Sequence, residues 1–203
     1  DAMAAQAAEF RPEAVAIAGA VPIDHARFAG ARVHRGPAGL LEMICSTGAD
    51  VVLNGIAGAA GLAPSLAALE AGRDRALANK ESIVLAGPLV LGEAARRGRR
   101  VLPVDSEHAA LFSILAGLLP DAVAELLITA SGGAFRDLPR ERLAAVRFAD
   151  ALAHPTWRMG PKITVDSATL ANKGLEVIEA HRLFGVPLDR IRVLVHRQSR
   201  VHA

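Results

Sequence analysis

The chain has 203 residues, 52% of them hydrophobic but only 3% aromatic, with no tyrosine, and its 23 basic and 21 acidic side chains leave a formal charge of +2. That length allows one large or two small domains of roughly 100–200 residues, and the aliphatic bias suits helices packed on a sheet better than a small aromatic barrel. One cysteine, Cys45, excludes an internal disulfide and a Cys-based zinc cluster, while no apolar run reaches the roughly 20 residues of a bilayer span.

The amino terminus is Ala-rich and reads as helical, without the basic start and continuous apolar stretch of a secretory signal. It begins without Met, as a fragment or processed chain would. With the lone cysteine, this fits a reducing, cytoplasmic compartment and no membrane partner. Short apolar runs at Val15–Ala18, Ala31–Val33 and Val51–Leu53 predict strands of a parallel sheet. Helices are predicted at about 23–29, 37–47, 62–71 and 88–97, with Gly72 and Gly98 as stops. This alternation is that of a doubly wound nucleotide-binding domain. The junction Asn54-Gly55-Ile56-Ala57-Gly58-Ala59-Ala60-Gly61 is spaced G-x-x-G-x-x-G rather than G-x-G-x-x-G, so a tight strand-to-helix turn explains it about as well as a cofactor does. Arg96-Arg97-Gly98-Arg99-Arg100 reads as a solvated helix end and turn. No aromatics are interleaved with it as a single-strand binder requires, so no nucleic-acid partner is expected.

A strand is predicted at Val101–Val104, followed by Asp105-Ser106-Glu107 and a helix from His108. Extended geometry would put Asp105 and Glu107 on one face at the carboxyl end of that strand, where open α/β sheets bind ligands. Another strand follows at Leu126–Thr129, then the loop Ser131–Arg136. A long irregular stretch runs on through His154 and Trp157 to Gly160, in the manner of a lid. Trp157 either anchors that loop in the core or covers a ligand. Asp166 or Ser167 would cap the next helix, on which Asn172, Glu176 and Glu179 fall at i, i+4 and i+7, with Lys173 three residues before Glu176. Asp105, Glu107 and Glu176 together look like a divalent-metal site beside a phosphate site. Taken singly, they are more often a helix cap and solvated ion pairs, and it is their combination that favours the site. Glu179 and Asp166 read either as supports of the site or as caps.

The strings Gly58-Ala-Ala-Gly-Leu62, Leu77-Ala-Asn-Lys-Glu-Ser82, Leu102-Pro-Val-Asp-Ser-Glu-His108, Ser131-Gly-Gly133, His154-Pro-x-Trp-x-Met-Gly160, Lys162-Ile-x-Val-Asp-Ser-Ala-Thr169 and Asn172-Lys-Gly-Leu-Glu176 resemble, in order, those of the 1-deoxy-D-xylulose 5-phosphate reductoisomerase family. The resemblance implies NADPH-dependent rearrangement and reduction of that sugar phosphate to 2-C-methyl-D-erythritol 4-phosphate in isoprenoid biosynthesis. It implies an α/β fold: an incomplete Rossmann-like parallel sheet domain at 1–104, followed by an α+β catalytic domain with a lid loop at 105–203. Asp105, Glu107 and Glu176 would bind Mg²⁺ or Mn²⁺, and with Lys80 would carry catalysis. Lys80, Ser106, Glu107, Ser131, His154, Trp157, Ser167, Asn172, Lys173 and Glu176 would line the substrate site, while Asn79, Glu81 and Gly160 would contact NADPH.

Two departures accompany the resemblance. No G-x-T-G-S-I-G phosphate-binding turn occurs, and the family's His-Pro-Gln-Ser-x-x-His string reads here His196-Arg197-Gln198-Ser199-Arg200-Val201-His202, one residue before the end. The chain therefore reads as a partial enzyme lacking the nucleotide-binding turn and the C-terminal helical domain. The homodimer implied for full-length members, formed through the sheet containing Val193–Val195, would be weakened by the cut and by Arg200. Two rival readings are a non-catalytic remnant that binds a metal and a phosphorylated sugar, and a metal-independent NAD(P) dehydrogenase using a Lys or His acid.

Overall fold

A computed structural model describes residues 2–19, 22, 24–28, 30–201 and 203, which divide into two compact units. The first comprises residues up to Ser82 together with Leu89–Leu102, and the second Ile83–Pro88 and Pro103–Ala203. The α/β class holds in both, with parallel pairing in each.

The first unit opens with α1 (Ala2–Phe10) and the parallel pair β1 (Ala14–Ile17) and β2 (Arg32–Arg35), followed by α2 (Gly36–Ser46). The helix predicted near 23–29 is a short 3₁₀ turn at His25–Phe28; Ile23 and Ala29 lie outside the described residues. A separate sheet, in the order β3-β4-β5, consists of β3 (Val51–Asn54), β4 (Asp74–Leu77) and β5 (Val101–Pro103). Parallel neighbours need crossovers, and α3 (Leu62–Glu70) and α4 (Lys80–Arg96) supply them. Ile44, Ala67 and Ala68 form the core between α2 and α3, joined by Leu40, Leu41 and Val52. Of β4, the sequence marks only the end at Leu77, because Asp74 and Arg75 interrupt its apolar pattern. Sequence periodicity also starts α4 too late, at Pro88, whereas the helix begins at Lys80 and passes through the proline with a kink at Ala86 (φ −141°, ψ 35°).

In the second unit, Pro88 has no N–H to give the Val84 carbonyl. Arg182 Nη1 donates to Val84 O at 2.6 Å instead, and to Ile83 O as well. The unit continues with α5 (Ser106–Leu115), β6 (Leu126–Ala130), α6 (Phe148–Ala151), α7 (Pro161–Ala168), α8 (Ala171–Phe184) and β7 (Ile191–Val195). β6 and β7 run parallel, from Leu126 opposite Ile191 to Ala130 opposite Val195. Leu111, Leu126, Ile128, Ala180, Val186 and Ile191 form the core beneath them.

Three local expectations change. Glu107 stands in the first turn of α5 rather than on an extended strand, so strand alternation does not explain how it meets Asp105. Ser167 and Asp166 lie in the last turn of α7 and cap nothing; Leu170, in the left-handed region at φ 61°, precedes α8. The stretch from 131 to 160 is not structureless, since it holds a 3₁₀ segment at Arg140–Ala145 and α6. Among the described residues, no helix is long and apolar enough to cross a membrane.

Candidate metal and phosphate site

Asp105 occupies the N-cap position of α5 with φ −52° and ψ 133°, yet its side chain makes no capping hydrogen bond. Glu107 follows in the first turn, and Ser106 Oγ donates to Glu107 Oε2 at 2.6 Å. α8 brings in Glu176 from 69 residues further on, at 2% exposure, with Asn172 and Glu179 buried along the same face. One oxygen each from Asp105, Glu107 and Glu176 lies within 4.8 Å of the other two. Three hard oxygen donors in that space match what Mg²⁺ or Mn²⁺ takes.

The buried carboxylates are not left bare. Lys173 Nζ donates to Glu107 Oε1 at 2.9 Å and to Glu176 Oε2, and Asn172 Nδ2 donates to Glu176 Oε1 at 2.5 Å. Burying charge is tolerable only with such partners, because removing an ion from water costs several kcal/mol.

The sequence reading missed His108, which lies at the centre of this arrangement. Its ring is fully buried, with Nε2 2.9 Å from the Glu176 carbonyl oxygen and Nδ1 3.5 Å from Glu179 Oε2 and 3.8 Å from Asp105 Oδ1. Asp105, His108 and Glu179 also converge within 4.8 Å as a second group of possible ligands. Burial opposes charge on the ring, but the Asp105 carboxylate, with Glu179, outweighs it and holds the His108 pKa above the ordinary histidine value. The available signal was spacing, since His108 falls at i+3 from Asp105 on a helix start. Glu179 thus lies inside the cluster, whereas Asp166 forms an ion pair with Lys162 at 2.6 Å.

The loop residues form a second group. His154 Nδ1 accepts from the backbone N–H of Thr156 at 3.1 Å and of Trp157 at 2.9 Å. That leaves Nε2 to carry the proton and donate to Ser131 Oγ at 3.2 Å. Burial, aided by the Arg136 charge, depresses the His154 pKa. Trp157 is 45% exposed, so it does not anchor the loop in the core. Gly133 has φ 73°, and a Cβ there would meet the Ser167 carbonyl oxygen at 2.0 Å. Glycine is thus what lets the Ser131 loop lie against the end of α7. Ser167 Oγ donates back to Ile163 O at 2.7 Å, while Gly160 forms the N-cap of α7. A cleft of about 490 Å³ opens along 134–153, lined by Phe135, Leu138, Arg142, Arg147 and Asp150 among others, and shares no residue with the carboxylate cluster.

Asn79, Lys80 and Glu81 belong to the first unit, at the start of α4. Asn79 Nδ2 donates to Ile56 O at 2.5 Å, Gly58 O at 3.0 Å and Glu81 Oε2 at 2.9 Å, while Oδ1 accepts from Ser82 N at 3.2 Å. Asn54 and Ser65 complete the network: Asn54 Nδ2 reaches Gly61 O at 2.8 Å and Ser65 Oγ at 3.1 Å, and Ser65 Oγ meets Ser82 Oγ at 3.0 Å. A Cβ on Gly61 would stand 2.5 Å from Asn79 Oδ1. The Asn79 side chain therefore fastens the glycine-rich loop to α4, and Lys80 is buried beside it. Three of the four clustered arginines pair with acids, Arg96 and Arg97 with Glu93 and Arg100 with Asp74.

The family model described as 1-deoxy-D-xylulose 5-phosphate reductoisomerase matches residues 1–87, and the model of that enzyme's C-terminal domain matches residues 101–184. A reductoisomerase of that name from Gloeobacter violaceus is 52% identical over 211 aligned positions, covering 99% of this chain and 53% of its own length. The chloroplastic one from Mentha piperita is 54% identical over 168, covering 83% and 36%. The Zymomonas mobilis enzyme, solved in complex with NADPH, superposes with a TM-score of 0.89 at 39% identity, over all of this chain and 53% of that one. A DOX-P reductoisomerase crystal structure with NADPH, fosmidomycin and magnesium gives 0.86 at 37% identity, over 98% and 53%. The chain spans about half the length of the curated relatives it matches.

Proposed function

Because the chain belongs to the 1-deoxy-D-xylulose 5-phosphate reductoisomerase family, we propose that it serves the NADPH-dependent conversion of 1-deoxy-D-xylulose 5-phosphate to 2-C-methyl-D-erythritol 4-phosphate. The observation that carries this reading is the convergence of Asp105, Glu107 and Glu176 oxygens within 4.8 Å, with the phosphate-type donors Asn172 and Lys173 on the same helix. The complexes of its relatives with NADPH and magnesium supply the cofactors of the reading.

In this proposal Asp105, Glu107 and Glu176 hold Mg²⁺ or Mn²⁺, and His108 and Glu179 orient them from behind, as groups behind metal ligands do. The metal supplies Lewis-acid polarisation and a template for the ketose oxygens, and NADPH supplies the hydride. Ser106 stands beside Glu107 for the sugar hydroxyls. Ser131, Ser167, Asn172 and Lys173 bind the phosphate, whose charge favours several donors at once. His154 positions Ser131, and Trp157, exposed on the same loop, covers the substrate and keeps water from it. Lys80, at the first position of α4, balances developing negative charge. The first domain, 1–104, serves the nucleotide through Glu81 and the loop that Asn79 fastens, and the second, 105–203, with Gly160 at its α7 start, serves the substrate. The homodimer expected of full-length members would use the sheet that holds the exposed Val193, Leu194 and Val195 of β7, an assembly that Arg200 weakens in this chain, and the single cysteine fits a cytoplasmic site of action.

Calorimetric titration of the chain with 1-deoxy-D-xylulose 5-phosphate in Mn²⁺ tests this reading. Binding should disappear on chelation and in Glu107→Gln. Binding indifferent to the metal would favour a metal-independent dehydrogenase instead.

A further inference from the structure

Both oxygens of Glu176 are occupied by side chains assigned above to the phosphate: Asn172 Nδ2 on Oε1 and Lys173 Nζ on Oε2. Lys173 also reaches Glu107 Oε1 at 2.9 Å, so its ammonium lies between two of the three carboxylates of the oxygen triad. A divalent cation on that triad would meet the ammonium at the same two carboxylates, and like charges at that range repel. Asn172, Lys173 and Glu176 lie within little more than one turn of α8, so the conflict is relieved by side-chain rotation, without moving the helix.

We propose that Asn172 and Lys173 are exchanged between Glu176 and the phosphate. A cation at Asp105, Glu107 and Glu176 displaces them, and the released ammonium and amide are the donors that take the phosphate group. This rests on the metal-and-phosphate reading above and adds an order to it. Without the cation, a phosphate must draw both donors off Glu176. Without a phosphate, the cation must turn a buried ammonium away from its acidic partners Glu107 and Glu176. Each ligand removes a cost that the other would bear alone, so the two bind with positive and reciprocal coupling.

The test is a titration of the 203-residue chain with Mn²⁺, followed by electron paramagnetic resonance of the free ion, without and with saturating inorganic phosphate. A protein-free titration corrects for Mn²⁺–phosphate pairing. Phosphate should tighten Mn²⁺ binding by about fivefold or more, and Lys173→Met should tighten Mn²⁺ alone while reducing the phosphate effect below about twofold. Mn²⁺ affinity unmoved by phosphate in the unmodified chain, or full coupling persisting in Lys173→Met, overturns the exchange while leaving the metal site standing. Absence of Mn²⁺ binding overturns both readings together.

Discussion

The two units solve the burial of polar groups in opposite ways. Around the glycine-rich loop of the first unit, Asn54, Ser65, Asn79 and Ser82 are neutral, buried and bonded to one another or to loop carbonyls. Such a network fixes a backbone shape and asks for nothing more. In the second unit Asp105, Glu107, Glu176 and Glu179 gather around one lysine and one histidine. Three of its carboxylates bring one oxygen each within 4.8 Å of the others, which is the arrangement that the proposed cation reading uses. The neutral network fastens the loop, whereas the charged cluster is, in the proposed reading, the place where a cation is received.

The contrast can be broken most forcefully at Lys173. Lys173→Met leaves Glu107 and Glu176 without their ammonium, and urea unfolding should show a loss of about 3–5 kcal/mol. Added Mn²⁺ should restore most of it, since a ligand that binds only the folded chain stabilises it. A loss that Mn²⁺ does not touch would make Lys173 a plain structural ion pair. In the first unit the sharper test is Arg75, the fully buried cation of β4, whose guanidinium makes no hydrogen bond among the described residues and whose pKa burial pushes down to about 10. Arg75→Met should raise stability by about 1–4 kcal/mol with no response to Mn²⁺, and a destabilised variant would count against the rule that this unit favours neutral groups. The smaller effect belongs to the neutral network itself. Asn79→Ala should cost about 1–3 kcal/mol, from Ile56 and Gly58 carbonyls left without a donor. Thermal melts should show that loss unchanged by metal.

Much of this was legible in the chain. Apolar runs marked β1, β2, β3, β5, β6 and β7, and the i, i+4, i+7 spacing of Asn172, Glu176 and Glu179 placed all three on the buried face of α8. The family strings pointed to Asp105 and Glu107, but the physical reason first given for their meeting fails. They converge across a helix cap, where the chain turns from extended to helical, and not by strand alternation. The starts of β4 and of α4 were hidden for related reasons. Arg75 contradicts its own burial, and Pro88 looks like a helix start, because the Arg182 guanidinium that satisfies the carbonyls around it lies 94 residues away in sequence. His108 was missed because a histidine on a helix declares nothing until Glu179, from a different helix, is packed against it. Local pattern encodes faces and ends; partners brought in by tertiary packing do not appear in it.

The central claim, that the carboxylate cluster is a cation receptor, is tested most directly by the affinity of the chain for Mn²⁺ before and after Glu107→Gln. The substitution keeps the size of the side chain and removes one charged oxygen donor from the triad. A drop of roughly tenfold or more is the result the account predicts. Equal Mn²⁺ affinity in the two chains would contradict it.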